Sequence, residues 1–169
     1  MLPRFPELAL AVSATTRAQR PGEQDGVHYY FLSRDEFDHR IAAAEFLEWV
    51  DYVGNRYGTL LSEIERLRGA GKAPILELET EGALRVKRRI DGAVTIFVTA
   101  PVDELERRLR ERATESSGEI GGRIATARRQ LEQQGEFDYV VENDDRDRAA
   151  ERLGAIIEEK LSAATMARR

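Results

Sequence analysis

Short apolar runs alternate with helical patterns along this chain, and no other feature of the sequence limits the fold as strongly. Four runs have the length and composition of buried strands, at residues 8–12, 75–79, 94–98 and 139–141. The longer segments between them carry apolar residues on one helical face, as between Leu153 and Leu161. Because parallel strands need crossover helices, this order predicts an α/β fold with a mostly parallel sheet covered on both faces.

The segment at residues 28–61 breaks that rhythm, because it holds three strand-like runs and one short helix. Ser33 is followed three residues later by Glu36, the spacing of a capping box at a helix start. The pair Gly54-Asn55 separates two strand-like runs and predicts a hairpin turn. We therefore expect an antiparallel sublobe inserted into the α/β core.

The composition excludes several classes of protein. With no Cys among its 169 residues, the chain has neither a disulfide framework nor a thiolate metal site, and two His argue against a His-rich zinc site. A formal net charge of −5 argues against a nucleic-acid partner. No apolar run approaches the roughly 20 residues of a membrane span. We expect a soluble, cytoplasmic protein with no nucleic-acid partner and no membrane partner.

A loop at residues 13–23 has the residue types that bind phosphate. It follows the first predicted strand, and ligands of open α/β sheets collect at the carboxyl ends of the strands. Arg17 and Arg20 follow several hydroxyls; a guanidinium can bind phosphate oxygens with two parallel hydrogen bonds. Tyr29 and Tyr57 would add phenol donors. The alternative is an ordinary polar turn opened by the Pro-Gly pair, and the loop taken alone favours it.

Glu48 and Thr59 lie on two neighbouring strands of the predicted sublobe. A carboxylate beside a cleft can accept two parallel hydrogen bonds from guanine, from its ring N–H and its exocyclic amine, whereas adenine has no such pair of donors. A site of this kind discriminates because the wrong base leaves a buried acceptor unpaired. The alternative for Glu48 is a solvated strand carboxylate, which strand periodicity alone favours.

Together these segments resemble guanylate kinase. The matching residues keep their order and spacing from Leu8 to Leu161, at 11–23, 26–31, 45–49, 54–59, 112–114, 123 and 141–145. The resemblance implies a single domain spanning 1–169, with its core at 8–27 and 62–169. It also implies a GMP-binding sublobe at 28–61 and a helical lid at about 110–128.

The resemblance also implies roles for individual residues. Those expected to hold the GMP phosphate are Ser13, Arg17, Arg20, Tyr29 and Tyr57. Those expected to bind guanine are Glu48, Thr59 and Glu79. The residues expected on the side of ATP are Glu77 (for Mg²⁺), Asn143 (for adenine) and the lid arginines Arg112 and Arg123 (for the transferring phosphoryl group). The family usually has Asp-x-Asp where this chain has Glu77-Leu78-Glu79.

One family motif is not found in this sequence. Guanylate kinases begin with a strand, a G-x-x-x-x-G-K-[ST] loop (the P-loop) that binds the ATP phosphates, and a helix. The 169 residues contain no such pattern, and the one Gly-Lys pair, Gly71-Lys72, is followed by Ala73. The resemblance then implies a P-loop-kinase-like parallel core without its first strand, which would lie between the strands at 75–79 and 94–98.

From this we expect a protein that binds GMP or a related guanine nucleotide, with ATP-dependent phosphoryl transfer lost or strongly impaired. Mg²⁺ is expected with ATP only if transfer is retained. The gap in the sheet would be closed by direct pairing of its two neighbours, by a second chain in a dimer, or by residues upstream of Met1.

Two alternatives stay open. The first is an active guanylate kinase of purine nucleotide metabolism, converting ATP and GMP to ADP and GDP, either through an unusual ATP site or with a start upstream of Met1. The second is a scaffold domain that binds phosphopeptides at Arg17 and Arg20. Glu48 and Thr59 argue against the second, because a phosphopeptide needs no guanine-binding residues.

Overall fold

The computed structural model describes residues 2–101, 104, 107 and 117–167, and the chain divides into two compact units, Leu2–Ala93 and Val94–Arg169. The strands and helices of the first unit are β1 (Leu8–Leu10), β2 (Ala14–Thr15), β3 (Tyr30–Phe31), α1 (Arg34–Ala42), β4 (Phe46–Tyr52), β5 (Asn55–Leu60), α2 (Leu61–Gly69), β6 (Ala73–Ile75) and α3 (Thr80–Arg89). Those described in the second unit are β7 (Ile96–Thr99), α4 (Ser117–Glu132), β8 (Tyr139–Glu142) and α5 (Arg146–Ala167). Two 3₁₀ turns lie at Leu2–Arg4 and Gln134–Glu136.

A four-stranded sheet in the order β3-β2-β5-β4 forms much of the first unit. The pair β4–β5 is antiparallel, as the sequence predicts. Strand β2 was not predicted, and it pairs antiparallel with β5 and parallel with β3. The parallel pair forms because the amide of Tyr30 donates to the carbonyl of Ser13 at 2.9 Å and that of Leu32 donates to the carbonyl of Thr15 at 2.9 Å. The sheet therefore extends beyond residues 28–61 and includes part of the predicted phosphate-binding loop.

The hairpin between β4 and β5 is one residue away from the predicted turn. Its two central residues are Val53 and Gly54, with φ of 46° and 77°, whereas Asn55 already pairs with Tyr52. Two consecutive positive φ angles are the signature of a type I′ turn, whose twist matches that of the flanking strands. The predicted hairpin is confirmed, but its turn is Val53-Gly54 rather than Gly54-Asn55.

Helix α1 covers one face of this sheet. Its predicted capping box is present, since the amide of Glu36 donates to Ser33 Oγ at 3.2 Å and the amide of Ser33 donates to Glu36 Oε2 at 2.7 Å. Phe37 is completely buried and its ring stacks on that of Phe46 at 4.4 Å. Apolar packing thus occupies one face of the sheet and leaves the opposite face for other residues.

Strands β1 and β6 form a separate parallel pair, from Leu8↔Ala73 to Leu10↔Ile75. The predicted bounds of the strand at 75–79 are wrong, because β6 covers Ala73–Ile75 and the following residues lead into α3. A buried cluster joins these elements to α2 and α3, and it consists of Ala11, Leu47, Ile64, Leu67 and Val86.

The second unit contains the parallel pair β7–β8, with Ile96 opposite Tyr139 and Thr99 opposite Glu142. Asp138 fixes the start of the pair, because its Oδ2 accepts hydrogen bonds from the amide and the hydroxyl of Thr95, each at 2.8 Å. Helix α5 follows β8 directly.

Within the described residues, β6 pairs with β1 alone and β7 pairs with β8 alone. The predicted α/β fold with parallel strand pairs and crossover helices is confirmed. None of the described helices combines the length and the apolar content that a membrane crossing requires.

Candidate functional site

The candidate site lies in the first unit, on the face of the four-stranded sheet opposite α1. Side chains alternate along a strand, so Tyr57 and Thr59 share a face of β5 and lie roughly 7 Å apart. Glu48 on β4 pairs with Thr59, and Thr15 on β2 pairs with Tyr57, so both belong to that same face. The register therefore places a carboxylate, two hydroxyls and a phenol on one surface.

Glu48 is buried with an unusual set of partners. The residue is 4% exposed and Thr59 is 1% exposed, although both are polar. Thr59 hydrogen-bonds the Glu48 carboxyl through its side chain and its backbone, whereas Glu48 Oε1 has no hydrogen-bond partner in the described part of the chain. Burial raises the pKa of Glu48, and the bonds from Thr59 and the charge of Arg85 partly oppose that rise.

The burial of Glu48 shows that the solvated-carboxylate interpretation is wrong. A buried acceptor without a donor costs about 1–3 kcal/mol. Helix α3 packs against β4. The alternation of residues along β4 does not show whether a helix covers a given face, so it did not reveal this burial. Glu48 Oε1 is therefore suited to bind a ligand that supplies a hydrogen-bond donor.

Arg17, Tyr29 and Tyr57 form a second group, and Tyr57 lies two residues before Thr59 on the same face of β5. The Arg17 side chain is 14% exposed, and its guanidinium lies over the Tyr29 ring, 5.4 Å from the centroid. The rings of Tyr29 and Tyr57 are 6.2 Å apart. A guanidinium and two phenols offer several hydrogen-bond donors to one anion.

Glu23 holds the loop that carries the two arginines, a role that the sequence analysis missed. Its Oε1 accepts from Arg17 Nη2 at 2.7 Å, and its Oε2 accepts from the backbone amide of Arg20 at 2.7 Å. These bonds keep the pKa of the Glu23 carboxyl below its ordinary value. The Arg20 side chain is exposed, so an incoming anion can reach it without breaking the loop.

Glu63 is a second residue that the sequence analysis missed. It lies in the first turn of α2 and is 2% exposed. Its Oε1 accepts from the amide of Val12 at 3.0 Å, and its Oε2 accepts from the Tyr30 hydroxyl at 3.0 Å. Arg66 donates to both oxygens, each at 2.8 Å, and is the main reason that the pKa of Glu63 is lowered. The i,i+3 spacing of Glu63 and Arg66 was the available signal.

The bonds of Glu63 reach the two segments that carry predicted phosphate ligands. Val12 directly precedes Ser13, and Tyr30 directly follows Tyr29. Ser13 lies between β1 and β2, where its carbonyl accepts from the amide of Tyr30. Glu63 therefore fixes the start of the loop and β3 to α2.

The remaining predicted residues lie in the loop before α3, in the second unit, or outside the described residues. Glu79 is half-buried and directly precedes α3, and Glu77 is exposed in the preceding loop. Asn143 follows β8 in the second unit, where its amide donates to the carbonyl of Thr99 at 2.6 Å. Arg112 and the side chain of Arg123 lie outside the described residues. Across the described ranges, no three acidic or His side chains are grouped as metal ligands, and Glu77 as a Mg²⁺ ligand stays a prediction.

Comparisons with known proteins identify the family of this chain. A sequence model of the guanylate kinase family matches residues 3–160. The guanylate kinase of Desulfitobacterium hafniense is 47% identical over 158 residues, covering 93% of this chain and 79% of that protein. The guanylate kinase of Rubrobacter xylanophilus is 48% identical over 153 residues, covering 90% of this chain and 80% of that protein.

A solved structure is also similar. The crystal structure of guanylate kinase from Anaplasma phagocytophilum superposes with a TM-score of 0.77 at 28% identity, over 92% of this chain and 77% of that one. The family match and the identities extend over nearly the whole sequence, and the fold agrees. This chain belongs to the guanylate kinase family.

Proposed function

We propose that this protein is a guanylate kinase, which transfers the γ-phosphoryl group of ATP to GMP and produces ADP and GDP. Relatives named guanylate kinase, at 47–48% identity over at least 90% of this chain, support the active enzyme over the expectation of lost transfer. The observation that carries the proposal is the buried Glu48, whose Oε1 lacks a donor within the described residues.

Guanine supplies what that carboxylate lacks. Its ring N–H and exocyclic amine are adjacent donors, and an ionised Glu48 accepts from both. Adenine has a ring nitrogen acceptor in place of the N–H, so binding AMP would leave the buried oxygen unpaired. At about 1–3 kcal/mol for an unpaired buried acceptor, GMP is favoured over AMP by about 5- to 150-fold from this contact alone.

The phosphate of GMP is assigned to the group around Arg17. Tyr57 lies two residues before Thr59 on the same face of β5, so a nucleotide whose base reaches Glu48 extends along the strand towards Tyr57 and Arg17. Arg17, Tyr29 and Tyr57 supply donors there, and Ser13 and the exposed Arg20 complete the proposed set. Glu79, which directly precedes α3, belongs to the proposed guanine side.

The groups that would bind ATP are proposed from the family resemblance. Arg112 and Arg123 would neutralise charge on the transferring phosphoryl group, and Asn143 would lie on the adenine side. Phosphoryl transfer depends mainly on positioning and on such electrostatic stabilisation. Mg²⁺ would enter with ATP, held largely by the phosphate oxygens as is usual for this ion.

A steady-state assay of ADP release tests the proposal, with GMP, AMP or no acceptor. We expect ADP release that depends on GMP, is far weaker with AMP, and is abolished by Arg123→Ala while calorimetric GMP binding persists. GMP binding without GMP-dependent ADP release would refute phosphoryl transfer. Absence of GMP binding would refute the whole assignment.

A second candidate is a GMP-binding protein without phosphoryl transfer. It is favoured by one feature of the sequence, since the 169 residues contain no G-x-x-x-x-G-K-[ST] pattern. In guanylate kinases that loop binds the ATP phosphates. The same assay separates the candidates, because only the kinase converts bound GMP to GDP.

A further inference from the structure

Gly82 in α3 lies against the carboxylate of Glu48. A Cβ atom placed on Gly82 would lie 2.7 Å from Glu48 Oε2 and 3.4 Å from its Cδ. The next atom, Leu78 Cβ, would be 3.7 Å away, an ordinary contact. The space that a side chain would need at Gly82 is therefore taken by the Glu48 carboxylate.

The backbone gives no other reason for glycine at this position. Gly82 is buried within a regular helix, and its φ lies outside the positive range that favours glycine. Glycine is a poor helix former, second only to proline, because it loses the most backbone freedom on ordering. The close approach to Glu48 explains its presence here.

Helix α3 is held on β4 by hydrogen bonds that oppose movement of the helix away from the strand. Arg85 Nη1 donates to the carbonyl of Trp49 at 2.7 Å. Arg89 Nη1 donates to the carbonyls of Phe46 and Leu47 at 2.9 and 2.6 Å. These carbonyls belong to β4, which is an edge strand of the sheet. If a side chain were added at Gly82, the flexible end of Glu48 would move before the helix did.

We propose that Gly82 is a specificity-determining position, because the absence of a side chain there lets the Glu48 carboxylate keep the orientation that pairs with guanine. This inference rests on the proposed function, in which Glu48 binds the base. Gly82 makes no bond with the substrate and acts through Glu48. A methyl group at this position displaces the carboxylate, and the guanine donors then lose their acceptor.

The test compares Gly82→Ala with Gly69→Ala. Gly69 is also helical, and a Cβ there would meet nothing within 4 Å. We expect Gly82→Ala to stay folded and to lose GMP affinity by about 10- to 100-fold, the size of one charge-assisted hydrogen bond. Guanosine should lose affinity by the same factor, AMP affinity should stay unchanged, and Gly69→Ala should resemble the wild type.

A double-mutant cycle checks that the effect passes through Glu48. In a Glu48→Ala background, Gly82→Ala should cause no further loss of GMP affinity. An equal additional loss in that background would overturn the inference, as would an unfolded Gly82→Ala protein, because the obstacle would then be something other than the carboxylate.

The outcomes also separate this inference from the proposed function. If the wild type prefers GMP and Glu48→Ala removes that preference, the guanine assignment stands. A Gly82→Ala protein that keeps wild-type GMP affinity and wild-type base preference would then overturn the role of Gly82 alone. If the wild type has no preference for GMP, both fail.

Discussion

Glu63→Ala tests whether the buried carboxylate of α2 holds the phosphate-binding segments in place. The substitution leaves the amide of Val12 and the hydroxyl of Tyr30 without their acceptor. At about 1–3 kcal/mol for each partly buried donor left unpaired, the free energy of unfolding should fall by about 2–6 kcal/mol. The pair with Arg66 adds less than a fully buried pair would, because the Arg66 side chain is 56% exposed.

Urea denaturation measures the loss, with Glu65→Ala as the matched control on an exposed position of the same helix. Glu63→Gln should cost less than Glu63→Ala, because the amide keeps an acceptor and nearly the same volume. In each folded variant, GMP affinity should fall more than guanosine affinity, since Ser13 and Tyr29 belong to the proposed phosphate side. An unfolding free energy within 0.5 kcal/mol of the Glu65→Ala control, a margin of about the size of ordinary surface substitutions, would refute the reasoning.

The lowered pKa of Glu63 gives this prediction a pH signature. A carboxyl whose pKa is lower in the folded state contributes stability above its unfolded pKa of about 4.3, and that stability is lost as the pH falls through the folded pKa. The unfolding free energy of the wild type should therefore fall more steeply with acidification than that of Glu63→Gln. Parallel curves for the two proteins would contradict this.

Three further predictions concern the site itself. Because burial raises the pKa of Glu48 and guanine binding needs the ionised carboxylate, GMP affinity should fall as the pH drops through that raised pKa. Glu48→Gln should remove most of this pH dependence. If calorimetry shows that the affinity of Glu48→Gln falls as steeply with pH as that of the wild type, the prediction is wrong. Arg17→Ala should lower GMP affinity by about 10- to 100-fold and guanosine affinity only slightly, and Arg40→Ala is the control. Equal losses of GMP and guanosine affinity would show that Arg17 does not bind the phosphate. Gly58→Ala should destabilise the protein by about 1–3 kcal/mol in urea denaturation, because its Cβ would lie 2.8 Å from the backbone oxygen of Glu48, and an unchanged midpoint would argue against that contact.

Features encoded by neighbouring residues could be predicted from the sequence. The capping box of Ser33 and Glu36 needs only a spacing of three residues, and it is present. The hairpin was predicted as well, but its turn was shifted by one residue. The prediction rested on the pair Gly54-Asn55. Val53 carries no turn signal, because a β-branched residue rarely adopts a positive φ, yet the register of β4 on β5 places it in the turn with φ of 46°.

Features that depend on distant contacts could not be predicted in the same way. The bonds of Glu63 reach residues 51 and 33 positions away in the sequence. The closeness of Gly82 to Glu48 depends on how α3 packs on β4, which no local pattern records. Burial of Glu48 has the same origin, so strand alternation alone favoured a solvated carboxylate. The resemblance to guanylate kinase assigned Glu48 to the base because a family motif carries long-range information that periodicity lacks.

Calorimetric titration of GMP and AMP into the wild type and into Glu48→Ala tests the guanine assignment most directly. We predict that the wild type binds GMP more tightly by about 5- to 150-fold, and that Glu48→Ala removes this preference by weakening GMP while leaving AMP nearly unchanged. A Glu48→Ala protein that still prefers GMP as strongly as the wild type would contradict the account.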